Sequence, residues 1–356
     1  MKIRKEIGSE FHMDVSHIND RNTKCNVFDY LQDYNSSFFD SGRSALRMLL
    51  KKKTYRRVLL PNYLCGCVRD CFSESEIVYY RVNEDFQIDW EDLVKNCQKN
   101  IDLLYLHFFN GYIGKQYDFN ELAIVKEKYG FEIVEDTTHS FLSNKNIIGD
   151  YCICSLRKWF PVADGGVLYT HNALEQEERP NGAWVEDKKS AMILKGRYLR
   201  GEDVEKKEYL RTFENAEGVL DNQIDFFQMS TESIDRLRKI EVDDVRKSRS
   251  GNYMYLYNQL SSMGYDIVAT DGDNQVPIFC VLKTHKRDRL REFLIKSQVY
   301  CPVHWPLYDE LLQFPESVNN QRMELSIPID QRYTIEDMER VVRRMEEFLC
   351  SDEGKM

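Results

Sequence analysis

Three short stretches of the 356-residue chain hold residues whose types and spacing suit chemistry. In SLRKWFPVADGG (155–166), Ser155 and Lys158 form an S-x-x-K pattern directly after the apolar run YCIC. In DSGRSAL (40–46), Ser41, Gly42 and Arg43 open a helix-forming run, and in FEIVEDTTHS (131–140) an apolar stretch ends in Glu135 and Asp136, followed by His139. An S-x-x-K pair has two mechanistic readings. In one, the lysine activates an acylating serine, which calls for S-D-N and K-T-G companions that the chain lacks. In the other, Lys158 forms a Schiff base with pyridoxal phosphate (PLP) and the serine binds its phosphate. That cofactor also needs an anion site and a carboxylate that keeps its pyridine nitrogen protonated. The start of a helix after Ser41, two hydroxyls and Arg43 suit a phosphate, although Ser41 acting only as a helix cap is the plainer reading. Neighbours on a strand face opposite sides, so Glu135 and Asp136 cannot share one role, and Asp136 is taken as the functional acid. His139 either orients it, covers a ligand face, or is a satisfied structural histidine.

Elements that alternate between strand and helix must position these loops. RRVLLP (56–61), EIVYYRV (76–82), IDLLYLHFF (101–109), FEIVED (131–136), DYCICS (150–155) and GGVLYT (165–170) read as strands, several of them continuously apolar. Between them SALRMLLKKK (44–53), IDWEDLVKNCQ (88–98) and DFNELAIVKEKYG (118–130) read as helices, the last with a capping-box pattern at Asp118 and Glu121 and a stop at Gly130. Such alternation predicts an α/β sheet whose ligands bind where strands run into loops. Residues 171–230 are more polar, 241–264 predict one long helix blemished by Gly251, and VPIFCVLK (276–283), QVYCPVHWP (298–306) and IEDMERVVRRMEEFLC (335–350) predict a small α+β domain.

Bulk properties narrow the class. Hydrophobic content of 42% supports a substantial core, and a net charge of -10 argues against a general hold on nucleic acid or anionic membrane. KKKTYRR (51–57) then reads as a solvated helix end. The first residues, MKIRKEIGSEFHMD, lack the apolar core of a secretory signal, and no apolar run reaches the length of a membrane span. Ten cysteines scattered through the chain read as reduced, mostly buried thiols of a cytoplasmic protein. Cys65, Cys67 and Cys71 lack paired metal-ligand spacing, so no metal is expected.

The order SGRSAL, LLPNYLCGCV (59–68), IVEDTTHS, SLRKWFPVADGG resembles the DegT/DnrJ/EryC1/StrS aminotransferases, PLP-dependent enzymes of fold type I best known for aminating nucleotide-linked keto-sugars. The likeness continues through VHWPLY (303–308) and SIPIDQRYTIEDMERV (326–341) and covers most of residues 36 to 345. It implies a three-layer PLP-binding large domain with a mainly parallel sheet (1–245, with 1–35 as an N-terminal extension packed on it) and a small α+β C-terminal domain (246–356). It makes Lys158 the Schiff-base lysine, pairs Asp136 with the pyridinium nitrogen, sets His139 near the ring, and gives the phosphate to Ser155, Ser41, Gly42 and Arg43. His304 and Trp305 would face the substrate. Glutamate as amino donor, a keto-sugar acceptor and a homodimer follow by the same analogy.

The chain differs from the family pattern at three places. Ser155 precedes the lysine by three positions where the family usually has five. The usual Thr-aromatic pair is Leu64-Cys65, which leaves Tyr63 as either the ring-stacking residue or a core tyrosine. The segment that reaches the neighbouring subunit reads Phe226-Phe227-Gln228-Met229, without the family's Asn and Arg. Either another loop does that task or the acceptor is not the usual nucleotide-sugar. A PLP-dependent sugar dehydratase or lyase, and a non-catalytic relative, are the alternative readings.

Overall fold

The computed structural model describes residues 6–13, 23–113, 117–143, 147–174, 177–269, 275–351 and 354. Residues 1–5 and 14 of the first stretch read above lie outside them. In chain order the longer strands are β1 (Asn35–Phe39), β2 (Arg57–Pro61), β3 (Glu76–Tyr80), β4 (Leu103–His107), β5 (Glu132–Asp136), β6 (Tyr151–Cys154), β7 (Gly166–Thr170), β8 (Phe279–Lys283) and β9 (Glu324–Pro328). The helices used below are α1 (Gly42–Lys52), α2 (Trp90–Cys97), α3 (Phe119–Tyr129), α4 (Val185–Leu199), α5 (Lys206–Asp221), α6 (Thr231–Leu237), α7 (Val242–Ser262) and α8 (Ile335–Cys350).

By contact density the chain divides into two compact units. The first comprises residues 1–6, 10–54 and 150–243. Within it β7 pairs antiparallel with both β1 and β6, and α4 packs on α5 around Trp184, Met192, Phe213 and Leu220. The second comprises residues 7–9, 55–149 and 244–356. Its strands β2 to β5 are parallel, in the order β5-β4-β2-β3, joined by helical crossovers as parallel neighbours require. Leu59, Leu104, Leu106 and Ile133 place their side chains in one aliphatic core. A second core in this unit joins Leu256 of α7, Leu282 of β8, Ile327 of β9 and Met338 and Val341 of α8.

All six predicted strands are present, and the expected α/β architecture with parallel strands is what forms. α3 is capped by Asp118, whose carboxylate accepts from the backbone N–H groups of Asn120 and Glu121, and Gly130 closes it in the left-handed conformation at φ 72°. Only half of the expected capping box forms, because Glu121 turns its carboxylate to Trp90 Nε1 at 3.0 Å. The long helix over 241–264 is α7, with Gly251 inside it. β1 carries no strand signal in the sequence beyond its two phenylalanines. Its serines dilute the apolar pattern, and it forms through five paired positions with β7.

Candidate active site

The first unit positions Lys158 by the way β6 ends. After Cys154 the chain makes a single 3-10 turn, Leu156–Lys158, closed by the Lys158 N–H donating to Ser155 O at 3.2 Å. Leu156, Trp159 and Phe160 anchor this turn in the core, while Ser155 and Lys158 keep partial exposure. Beside it lies the start of α1. Ser41 is its N-cap, with Oγ accepting from the Ser44 N–H at 3.1 Å. A Cβ built on Gly42 would lie 3.3 Å from Ser155 Cβ, so the Ser41-Gly42 loop and Ser155 are in contact. Gly166 makes that approach possible. A Cβ there would stand 2.2 Å from the Ser41 carbonyl carbon, closer than any side chain tolerates. Ser41, Gly42 and Ser155 thus meet at the start of an 11-residue helix, whose first N–H groups have no partner within the helix.

Two cations near this patch have structural partners. Arg43 pairs with Asp221 at 2.9 Å. Arg157 pairs with Glu217 at 3.1 Å and lies over the Trp184 ring at 4.8 Å. Asp164 is fully buried and accepts from the Ser230 N–H and hydroxyl, both at 2.6 Å, and from the Ser233 hydroxyl, which fastens the start of α6. In the segment Phe226–Met229, Phe226 and Met229 are buried and Gln228 donates to Glu177 O at 3.1 Å.

The second unit positions Asp136 at the C-terminal end of β5. Its carboxylate accepts from Tyr105 Oη at 2.8 Å and from the Thr138 N–H at 2.9 Å. His107, its register partner at the end of β4, places Nδ1 3.4 Å from Asp136 Oδ2. Burial alone would raise the Asp136 carboxyl, but the His107 imidazole and the Thr138 donors outweigh it and hold the group down at about 2. Glu135 faces the other way and accepts from the Ile148 and Gly149 N–H groups, and there burial wins, pushing the carboxyl up to about 7. Two adjacent acids therefore have opposite protonation behaviour near neutrality, as alternation along a strand demands. His107 and Tyr105 are absent from the residues the sequence singled out. Each lies inside an apolar run, and only the parallel register of β4 with β5 brings them to Asp136.

His139 is the buried last residue of the turn Thr137–His139 that Asp136 caps, and its Nδ1 accepts from the Asn110 N–H at 3.2 Å. Its ring stacks on Trp305 at 5.5 Å between centroids. Tyr63 packs against Trp305 at 5.6 Å and donates its hydroxyl to the His304 carbonyl. The second unit thus gathers Tyr63, His139, His304 and Trp305 into one aromatic cluster, with His107 also ring to ring against His139 at 4.9 Å. The Cys65 and Cys67 sulfurs lie 3.2 Å apart. Among the described residues, no group of histidine, cysteine and acidic side chains is arranged to hold a metal, and no helix is long and apolar enough to cross a membrane.

This architecture is an α/β fold shared with solved sugar aminotransferases. No protein-family model matches the chain, and no curated protein matches it in sequence. Among solved structures, Helicobacter pylori PseC, an aminotransferase involved in the biosynthesis of pseudoaminic acid, is similar at TM-score 0.66 and 14% identity, over 96% of this chain and 99% of that one. The PLP form of Spr1654 from Streptococcus pneumoniae, described as a putative sugar aminotransferase, is similar at TM-score 0.66 and 12% identity, over 95% and 97%. A DegT DnrJ EryC1 StrS aminotransferase from Brucella abortus is similar at TM-score 0.64 and 14% identity, over 90% and 88%. The resemblance drawn from the sequence thus extends to the fold of the whole chain.

Proposed function

We propose that this protein is a PLP-dependent aminotransferase, working as a homodimer, that moves an amino group from glutamate to a nucleotide-linked keto-sugar in sugar or surface-polysaccharide biosynthesis. The observation that carries the reading is the buried Asp136, held ionised by His107, Tyr105 and Thr138 on a fold shared with sugar aminotransferases. A buried carboxylate held charged by its own donors suits a protonated ring nitrogen. The hydroxyls and helix N-terminus around Ser41, Gly42 and Ser155 are the donor set a phosphate needs. The residues present therefore fit PLP.

On this reading Lys158, Ser41, Gly42, Arg43 and Ser155 would hold the lysine and phosphate ends, Asp136 the ring nitrogen, and Tyr63 and His139 the ring. When bound, the cofactor supplies an electron sink for the carbon that gains or loses the amino group. Lys158 Nζ would carry the proton to and from the substrate Cα, a task for an amine on a flexible stem. Asp136 stays negative throughout, since its carboxyl lies far below neutrality. Residues 1–245 would then form the cofactor-binding part, and 246–356, with His304 and Trp305, the part that meets substrate.

The test is to incubate the purified protein with PLP, reduce it with borohydride and locate the pyridoxyl mass adduct. It is expected on Lys158 and lost in Lys158→Ala. Release of 2-oxoglutarate on adding glutamate then separates transamination from dehydration or a non-catalytic role. A protein that takes up no adduct at all would sink the reading.

A further inference from the structure

β9 places Glu324 and Ser326 on the same face, two residues apart, against His304. Glu324 is fully buried and His304 is 7% exposed. Glu324 Oε2 accepts from the His304 backbone N–H at 2.7 Å, and its Oε1 lies 3.3 Å from His304 Nδ1. Ser326 Oγ lies 3.2 Å from the same Nδ1 and donates its hydrogen to Glu324 Oε1. The serine hydroxyl has one hydrogen, and it is used on the carboxylate. Both neighbours of Nδ1 therefore present lone pairs, and Nδ1 must carry the ring proton. In the neutral ring Nε2 is then a hydrogen-bond acceptor. Nε2 makes no hydrogen bond among the described residues. The ring is held by Phe279 at 5.2 Å, Trp305 at 5.2 Å and His139 at 5.8 Å, and the backbone carbonyl of the same residue takes the Tyr63 hydroxyl. An unpartnered acceptor on a buried ring whose tautomer is fixed from behind suits a donor brought in by a ligand.

We infer that His304 Nε2 accepts a hydrogen bond from one hydroxyl of the acceptor sugar, with Glu324 and Ser326 as positioning residues that fix the ring tautomer. This rests on the aminotransferase reading for the identity of the ligand, though not for the tautomer. It makes His304 a selector of a hydroxylated substrate over its deoxy counterpart. An anionic group at the same point would meet a lone pair and be disfavoured.

The full-length protein carrying PLP, labelled with ¹⁵N-histidine, tests both parts. The His304 resonances, assigned by their loss in His304→Gln, are expected to show Nδ1–H in the native protein and in Ser326→Ala, where the carboxylate remains. In Glu324→Gln the amide can donate to Nδ1, and the proton is expected to move to Nε2. UDP-glucose should perturb the Nε2 resonance, and one of its monodeoxy analogues should not. Affinity for UDP-glucose is expected to fall about tenfold in His304→Gln, with that one analogue unaffected. An Nε2–H tautomer in the native protein overturns the inference, as does an Nε2 resonance that neither UDP-glucose nor any analogue moves. Equal losses for every sugar would reduce His304 to a structural part and overturn it too. If the tautomer and the hydroxyl preference hold while Lys158 takes no adduct, the aminotransferase reading alone falls.

Discussion

His107 and Asp136 show how a carboxylate stays charged with almost no water around it. Asp136 has three donor residues at hand, and His107 is the one that opposes burial most strongly, with Thr138 next. Replacing His107 with phenylalanine keeps a ring of similar shape and removes the Nδ1 donor. The Asp136 carboxyl is then expected to rise from about 2 toward or above the ordinary aspartate range, read by ¹³C NMR of the protein free of cofactor. PLP affinity should fall about tenfold in the same variant, measured by fluorescence quenching. An unchanged Asp136 titration would show that Tyr105 and Thr138 suffice. Asp136 itself was legible in the sequence, because an acid ending an apolar strand demands a partner. Its partner was not. His107 looks like one polar letter in LLYLH, and 29 positions separate it from Asp136. Glu324 was hidden in the same way, inside MELSIP, where nothing local announces that it faces His304.

Strand ends and glycine contacts carry the next scale. The β5 terminus makes a pH prediction with a definite sign. Glu135 has a folded value of about 7 against an ordinary 4.5, so the folded state binds more protons than the unfolded one between those limits. The stability Glu135 contributes is therefore fully present below about 4.5 and is lost as pH rises toward about 7; the total is roughly 3 kcal/mol. Asp136 acts in the opposite sense. Its contribution is present above its ordinary 3.8 and is lost as pH falls toward about 2, so the two windows do not overlap. Urea denaturation of Glu135→Gln should show a flatter profile across the upper window and the native profile below it. Glycines separate just as cleanly. At Gly166 an added methyl meets the Ser41 backbone, and Gly166→Ala should cost about 1–3 kcal/mol and weaken PLP binding together. At Gly251, inside α7, nothing lies within 4 Å, and Gly251→Ala should stabilise by roughly 0.5–1 kcal/mol, measured by the urea midpoint. The sequence marked Gly251 as a blemish in a helix and set Gly166 at the start of a strand, whereas the structure shows that Gly166 also admits another loop, which no local pattern reveals.

At the scale of the whole chain, the order of strands and helices was readable because buried parallel strands are nearly continuous in apolar residues, while β1 escaped because an edge-like strand with two serines resembles a loop. The proposed homodimer belongs to this scale, and one open groove is a candidate surface for it. Ala183, Val219, Ile224 and Phe227 line an open groove at the C-terminal end of α5, and Ile224 is 91% exposed. The groove runs into the Phe226–Met229 segment, the stretch that the family resemblance directs toward a neighbouring subunit. An isolated exposed isoleucine is unremarkable, but one set in an apolar groove continuous with that segment suits a second copy of the chain. Because Ile224 packs against almost nothing, Ile224→Lys should change the folding stability of the single chain by less than about 0.5 kcal/mol. Two added lysines facing one another across a two-fold contact should nevertheless open it. Sedimentation velocity is expected to find a dimer for the native protein and a monomer for Ile224→Lys at the same concentration, with the urea midpoint of the isolated monomer unchanged. A native monomer, or a variant that remains dimeric, would place the subunit contact elsewhere or remove it.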